Sequence, residues 1–219
     1  RLSTHIGDVG HAMIVGPTGV GKSVLLALMA LQFRRYAGAQ IFAFDKGRSM
    51  RAAILSLGGA FHDLGADEAL AFQPLADIET EAGRARAQYW LLGILAQEGV
   101  TLDPAVKDAV WSALGNLSEA PRAERTLTGL SLILQSDTLK AALHPYTLEG
   151  AYGHLLDNDA EALDLSSVAC FEMDELMQTP SAVAPVITYL FHRLDDRFDG
   201  RPTLLILDEA WLFLDHPVF

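Results

Sequence analysis

Unbroken apolar runs mark the first predicted elements of the chain. A strand that is covered on both faces of a parallel sheet is apolar throughout, so such runs predict buried strands. They occupy residues 11–15, 40–45, 167–172 and 203–208, and two shorter strand-like pieces lie at 60–64 and 71–75.

Apolar residues at helical spacing predict the other elements. The predicted helices cover residues 24–31, 49–57, 79–97, 103–117, 126–134 and 181–198. The first of these is apolar enough to be buried, Ser49 is expected to cap the second, and Asp103-Pro104 is a typical helix start. The helix-rich stretch lies between strand-like runs, which indicates an insertion in an α/β core.

The segment between the first strand and the first helix reads Gly-Pro-Thr-Gly-Val-Gly-Lys-Ser, which fits the phosphate-binding loop pattern. Its glycines let backbone N–H groups turn toward one oxyanion, and the helix that follows adds its positive end. Lys22 is expected to reach the β- and γ-phosphates, and the Ser23 hydroxyl to hold Mg²⁺. The alternative is a glycine-rich turn with a solvated lysine. The predicted nucleotide-binding residues are Gly16, Pro17, Thr18, Gly19, Val20, Gly21, Lys22, Ser23 and Val24.

Two carboxylates follow the last apolar run. Ligand-binding side chains collect at the carboxyl ends of parallel strands, so Asp208 is expected to hold Mg²⁺, directly or through water. Glu209 is expected to act as the general base on the attacking water. No Asn-Lys-x-Asp run for guanine occurs, so ATP is the expected nucleotide. A strand that merely ends in a charged turn is the alternative.

Composition narrows the functional classes. The 219 residues are 50% hydrophobic, which fits one globular unit with a substantial core. The net charge of −12 disfavours a free-standing nucleic-acid binder, although it leaves open a local basic pore in an oligomer. The single cysteine, Cys170, lies in an apolar run and is interpreted as a buried thiol. No apolar run has the length of a transmembrane helix.

Several longer motifs occur in a fixed order after the phosphate loop: 44–49, 145–147, 150–153, 171–176 and 207–211. With them, the chain resembles the C-terminal ATPase domain of the conjugal-transfer ATPases of type IV secretion systems, the TrbE-like and VirB-type branch. The resemblance implies a RecA-like P-loop NTPase core, α/β with a mainly parallel sheet, plus an all-helical insertion. The expected division is a first core segment at 1–76, the insertion at 77–160 and a second core segment at 161–219.

The same resemblance implies a function. It implies ATP hydrolysis with Mg²⁺, a hexamer in the full-length protein, and channel subunits of a type IV secretion system as partners. The expected location is cytoplasmic, peripheral at the bacterial inner membrane. Family members are longer, with an N-terminal domain and with a sensor strand and an arginine region beyond Phe219. The chain is therefore interpreted as a fragment that binds ATP better than it hydrolyses it.

Three further residues are candidates for a supporting role at the site. Asp45 and Glu172 each end a predicted strand, and Arg48 follows Asp45 closely. A structural carboxylate is the alternative for Asp45, and an ion-paired or solvated arginine is the alternative for Arg48.

Two other functions stay open at this stage. One is a hexameric DNA-translocating motor of the coupling-protein or FtsK/HerA type. The other is an ATP-controlled assembly scaffold with little turnover, against which the expected base Glu209 argues.

Overall fold

The computed structural model describes residues 10–67 and 69–208. The strands are β1 Gln40–Asp45, β2 Ala60–Asp63, β3 Val168–Glu172 and β4 Thr203–Leu207. The helices are α1 Lys22–Phe33, α2 Arg51–Ser56, α3 Glu81–Gln97, α4 Pro104–Leu117, α5 Leu127–Ile133, α6 Asp137–Leu143, α7 Gly153–Leu156 and α8 Pro180–Asp195. Short 3-10 turns lie at Arg122–Glu124, His144–Tyr146 and Leu176–Gln178.

The four strands form one sheet in the order β2-β3-β1-β4, and every pairing in it is parallel. All six residues of β1 are buried, as expected for a central strand of a covered parallel sheet. The register places Asp45 opposite Glu172, and Glu172 opposite Asp63. Three neighbouring strands therefore each end in a carboxylate, and these three residues lie side by side at the carboxyl ends of the strands. The predicted α/β class with a parallel sheet is confirmed.

Alternate residues of the strands point into two apolar layers. On one face, Ile41 and Ala43 pack with α1 and α2 through Ala30, Met50 and Ile54. The other face carries Phe42, Phe44 and Phe171, and its apolar core extends without a break through α8 into the helices that precede β3. Because side chains alternate along a strand, β1, β3 and β4 each contribute to both layers.

Between β2 and β3 the described residues form helices and loops only. Side chains of Thr80, Asp103, Thr126 and Ser136 cap four of these helices by accepting a backbone N–H bond three residues later. The indole Nε1 of Trp90 donates to the Pro185 carbonyl at 2.8 Å and so joins α3 to α8. The helical stretch thus shares its core with the sheet. Its proposed limits at 77 and 160 stay a prediction.

Three predicted local features differ from the structure. Residues 11–15 form no strand, and the side chains of Met13 and Val15 are 76% and 84% exposed. Residues 71–75 form an irregular segment that enters a turn at residue 74, and Phe72 bonds to Leu155 and Asn158 through the backbone. The residues of helix α1 are exposed or half-buried, with only Ala30 fully buried. An apolar pattern indicates only that a segment is suited to burial. A strand also needs a neighbouring strand to which its backbone can hydrogen-bond, and residues 11–15 have no such neighbour among the described residues.

The start of α2 is the fourth difference. The helix begins at Arg51, and Ser49 does not cap it. Instead the backbone N–H of Met50 donates to Asp45 Oδ2 at 2.8 Å. The carboxylate at the end of β1 thus binds the backbone just before the helix, and no side chain caps α2.

Candidate nucleotide-binding site

The phosphate-loop sequence forms an exposed loop that leads into α1. Gly19 and Gly21 have φ angles of 82° and 92°, in the left-handed region that favours glycine, and no atom lies within 4 Å of the position that a Cβ would take at either residue. No side chain caps α1 at Gly21, and its first turn carries no acidic residue. The N–H groups of that turn are therefore suited to an anion.

The ammonium group of Lys22 folds back over this loop. Its Nζ donates to the carbonyl oxygens of Gly16 at 2.9 Å and Pro17 at 3.0 Å. An ammonium has three donors, so the same group can also reach an oxyanion within the loop. The predicted contact of Lys22 with the β- and γ-phosphates stays a prediction, with which this loop geometry is compatible.

Ser23 and Asp208 meet although 185 positions separate them in the chain. The Ser23 hydroxyl donates to Asp208 Oδ2 at 3.0 Å. The N–H of Asp208 donates to the Phe44 carbonyl at 2.9 Å, which extends the β1–β4 pairing past the strand end and fixes the backbone of Asp208. Mg²⁺ in nucleotide sites is typically held by one or two protein oxygens, phosphates and waters. The two predicted metal-binding residues are adjacent and fit that requirement.

Glu209, the predicted general base, lies outside the described residues. Asp208, immediately before it, is 8% exposed at the carboxyl end of β4.

Asp45 is fully buried and has both carboxylate oxygens in hydrogen bonds. Oδ1 accepts from the Ser49 hydroxyl at 2.7 Å, and Oδ2 accepts from the Met50 N–H. The Ser49 Oγ also lies 3.3 Å from Asp208 Oδ2. These bonds support the structural interpretation of Asp45. Ser49 was missed as a site residue, and only its spacing four residues after a strand-ending aspartate could have indicated it.

Glu172, at the end of β3, binds the backbone of the turn 46–49. Its Oε1 accepts from the N–H groups of Gly47 at 2.9 Å and Asp174 at 3.0 Å, and its Oε2 accepts from the N–H of Arg48. The side chain is fully buried. A carboxylate that accepts several backbone N–H bonds organises the backbone around it.

Arg48 adopts a left-handed backbone conformation, with φ at 58°. Its guanidinium is half-exposed and binds Asp63 at the end of β2 at 2.8 Å. The hydrogen bond to Asp63 raises the pKa of Arg48, so the group stays charged. β2 lies at the opposite edge of the sheet from β4, so this ion pair draws Arg48 away from Asp208.

The fold and the site show an α/β protein with a parallel sheet, whose phosphate-loop sequence lies at the carboxyl ends of the strands. The chain is 47% identical over its whole length to the conjugal transfer protein TrbE of Rhizobium radiobacter, of which the match covers 27%. It is 44% identical to a probable conjugal transfer protein TrbE of Sinorhizobium fredii, and that match covers 34% of the relative. A scan against protein-family models finds no match.

A solved structure supports the fold. VirB4 of Thermoanaerobacter pseudethanolicus superposes with a TM-score of 0.66 over 90% of this chain and 59% of that one, at 20% identity. The chain is similar along its whole length to one segment of the TrbE proteins, and over 98% of its length, at 27% identity, to a segment of the virB4 protein of Bartonella quintana, so the resemblance is confirmed. The chain spans about a quarter to a third of the curated relatives' length. Within residues 10–67 and 69–208, no helix has both the length and the hydrophobicity to cross a membrane.

Proposed function

We propose that this chain is the ATP-hydrolysing part of a motor that energises type IV secretion, conjugal DNA transfer and pilus assembly. The observation that carries the proposal is the contact of Ser23 with Asp208, which joins the end of the phosphate loop to the end of β4. Relatives named as conjugal transfer and type IV secretion proteins support the biological role.

The residues of the loop bind and orient the nucleotide. Backbone N–H groups of the loop and of the first turn of α1 surround the phosphates, with Gly19 and Gly21 allowing the curvature. Lys22 exchanges its carbonyl partners for phosphate oxygens. Ser23 and Asp208 would hold Mg²⁺, which would neutralise developing charge on the transferred phosphoryl group.

Glu209 is the proposed general base because it follows the metal-binding aspartate directly in the sequence. A carboxylate in that role accepts a proton from the attacking water. Asp45 and Glu172 use their oxygens to bind the 46–50 backbone and Ser49, which supports Glu209 as the base in preference to either of them.

Partners and location belong to the same proposal. We expect assembly with further copies of the chain as a hexamer and contact with channel subunits at the cytoplasmic side of the bacterial inner membrane. Direct contact with DNA is the alternative that the same core would allow.

The test measures phosphate release from Mg·ATP across protein concentrations, with and without single-stranded DNA, for the parent and for Lys22→Ala. We expect Mg²⁺-dependent release that rises more than linearly with concentration and depends on Lys22. Stimulation by DNA would favour a DNA-translocating motor, and nucleotide-dependent assembly without release would favour a scaffold. Equal release by parent and variant would contradict the proposed site.

A further inference from the structure

Ser49 lies between two carboxylates at the carboxyl edge of the sheet. Its Oγ is 2.7 Å from Asp45 Oδ1 and 3.3 Å from Asp208 Oδ2. Asp45 is fully buried and Asp208 is 8% exposed, and they lie at the ends of the neighbouring strands β1 and β4. The serine hydroxyl is thus a polar link between the strand that carries the proposed metal ligand and the turn that precedes α2.

A serine hydroxyl has one proton and two acceptor lone pairs. It can therefore donate to only one of the two carboxylates at a time. The shorter distance assigns the proton to Asp45, and the Ser23 hydroxyl donates to the same Asp208 oxygen that Ser49 approaches. A cation on Asp208 would leave the Ser49 proton on Asp45, where the shorter distance already places it.

We propose that Ser49 is a positioning residue for Asp208, which sets the orientation of that carboxylate for a divalent cation and couples cation binding to the turn 46–50. This inference rests on the proposed function, because it concerns the same nucleotide site. The hydroxyl lies within hydrogen-bond distance of one carboxylate from each of the two neighbouring strands. Removing it leaves Asp208 less well oriented, whereas the phosphate loop and Lys22 are untouched.

The test uses the ratio between the ATP affinity at saturating Mg²⁺ and the ATP affinity in EDTA, which reports the contribution of the cation at the site. In Ser49→Ala we expect this ratio to fall by roughly three- to tenfold, the order expected for losing one ordinary hydrogen bond. The affinity in EDTA should match that of the parent. Ser49→Thr, which keeps the hydroxyl, should restore the ratio.

Ser56→Ala is the matched control, since Ser56 is at the other end of α2 and donates to the Ala53 carbonyl at 2.7 Å. It should keep the parent's ratio and the parent's affinity in EDTA. An unchanged ratio in Ser49→Ala would overturn the inference, as would a loss of affinity in EDTA of the same size. Failure of Ser49→Thr to restore the ratio would also overturn it.

The proposed function is judged by a separate arm. If Lys22→Ala loses ATP affinity while Ser49→Ala keeps the parent's ratio, the nucleotide site stands and the role of Ser49 fails. If Lys22→Ala binds as the parent does, the site itself fails and the role of Ser49 fails with it.

Discussion

Asp45 and Glu172 are register partners at the ends of β1 and β3, and both carboxylates accept hydrogen bonds from the turn 46–50. Asp45 binds Ser49 and the N–H of Met50, whereas Glu172 binds the N–H groups of Gly47 and Arg48. Both side chains are fully buried. The turn beside the proposed metal ligand Asp208 is therefore held in place by two carboxylates at the ends of β1 and β3, as a preorganised site requires.

The first prediction concerns Glu172. Glu172→Gln replaces one acceptor oxygen by a donor that faces backbone N–H groups, so we expect a loss of about 1.5–3 kcal/mol in the free energy of unfolding. Chemical denaturation measures it. Glu149→Gln, at an exposed position, is the control and should change little. A Glu172→Gln protein as stable as the control would show that the turn needs no buried carboxylate.

Asp157 joins the start of α5 to the loop that follows the 3-10 turn His144–Tyr146, by hydrogen bonds to both. Its carboxylate accepts from the N–H and the hydroxyl of Thr128 and from the N–H of Leu148, and the residue is 5% exposed. We expect Asp157→Asn to lower the free energy of unfolding by about 1–3 kcal/mol. Asp159→Asn, two residues away and exposed, is the matched control. Equal midpoints for both variants in a denaturant titration would contradict this role.

The sequence predicted the strand at 40–45 with the bounds that the structure shows. Its apolar run is continuous and ends at an Asp, which marks the carboxyl end of the strand. The similar run at 11–15 gave a wrong prediction, since no described residue pairs with it. The partners of Glu172 could not be predicted: its N–H donors at Gly47 and Arg48 lie 125 and 124 positions away. Ser49 was assigned to a helix cap because local spacing does not reveal Asp208 beside it.

Cys170 gives a prediction from its protonation. Burial raises the pKa of the Cys170 thiol, and the nearby carboxylates of Asp45 and Glu172 raise it further. The reactive thiolate is therefore scarce at neutral pH and the sulfur is shielded. We expect no labelling by a thiol reagent in the native protein and rapid labelling in denaturant. Because the chain has one cysteine, the readout needs no second variant. Native labelling at the denatured rate would contradict the buried position.

Glu209→Gln should separate binding from chemistry. The substitution keeps size and hydrogen bonding and removes the proposed base, so we expect ATP binding to persist and hydrolysis to fall by about 10²–10⁴-fold. Binding by calorimetry and phosphate release on the same preparation check both expectations. Hydrolysis at the parent rate would assign the base to another group.

The central claim is that the loop ending at Lys22 and Ser23 binds the phosphates of ATP. The most direct measurement is a calorimetric titration of Mg·ATP into the parent, into Lys22→Ala and into Lys107→Ala, whose lysine is exposed on α4. We expect the parent and Lys107→Ala to bind with the same affinity and Lys22→Ala to bind at least about tenfold more weakly, since it loses a charge-assisted contact to phosphate. Equal affinity in all three proteins, or no binding by the parent, would contradict the claim.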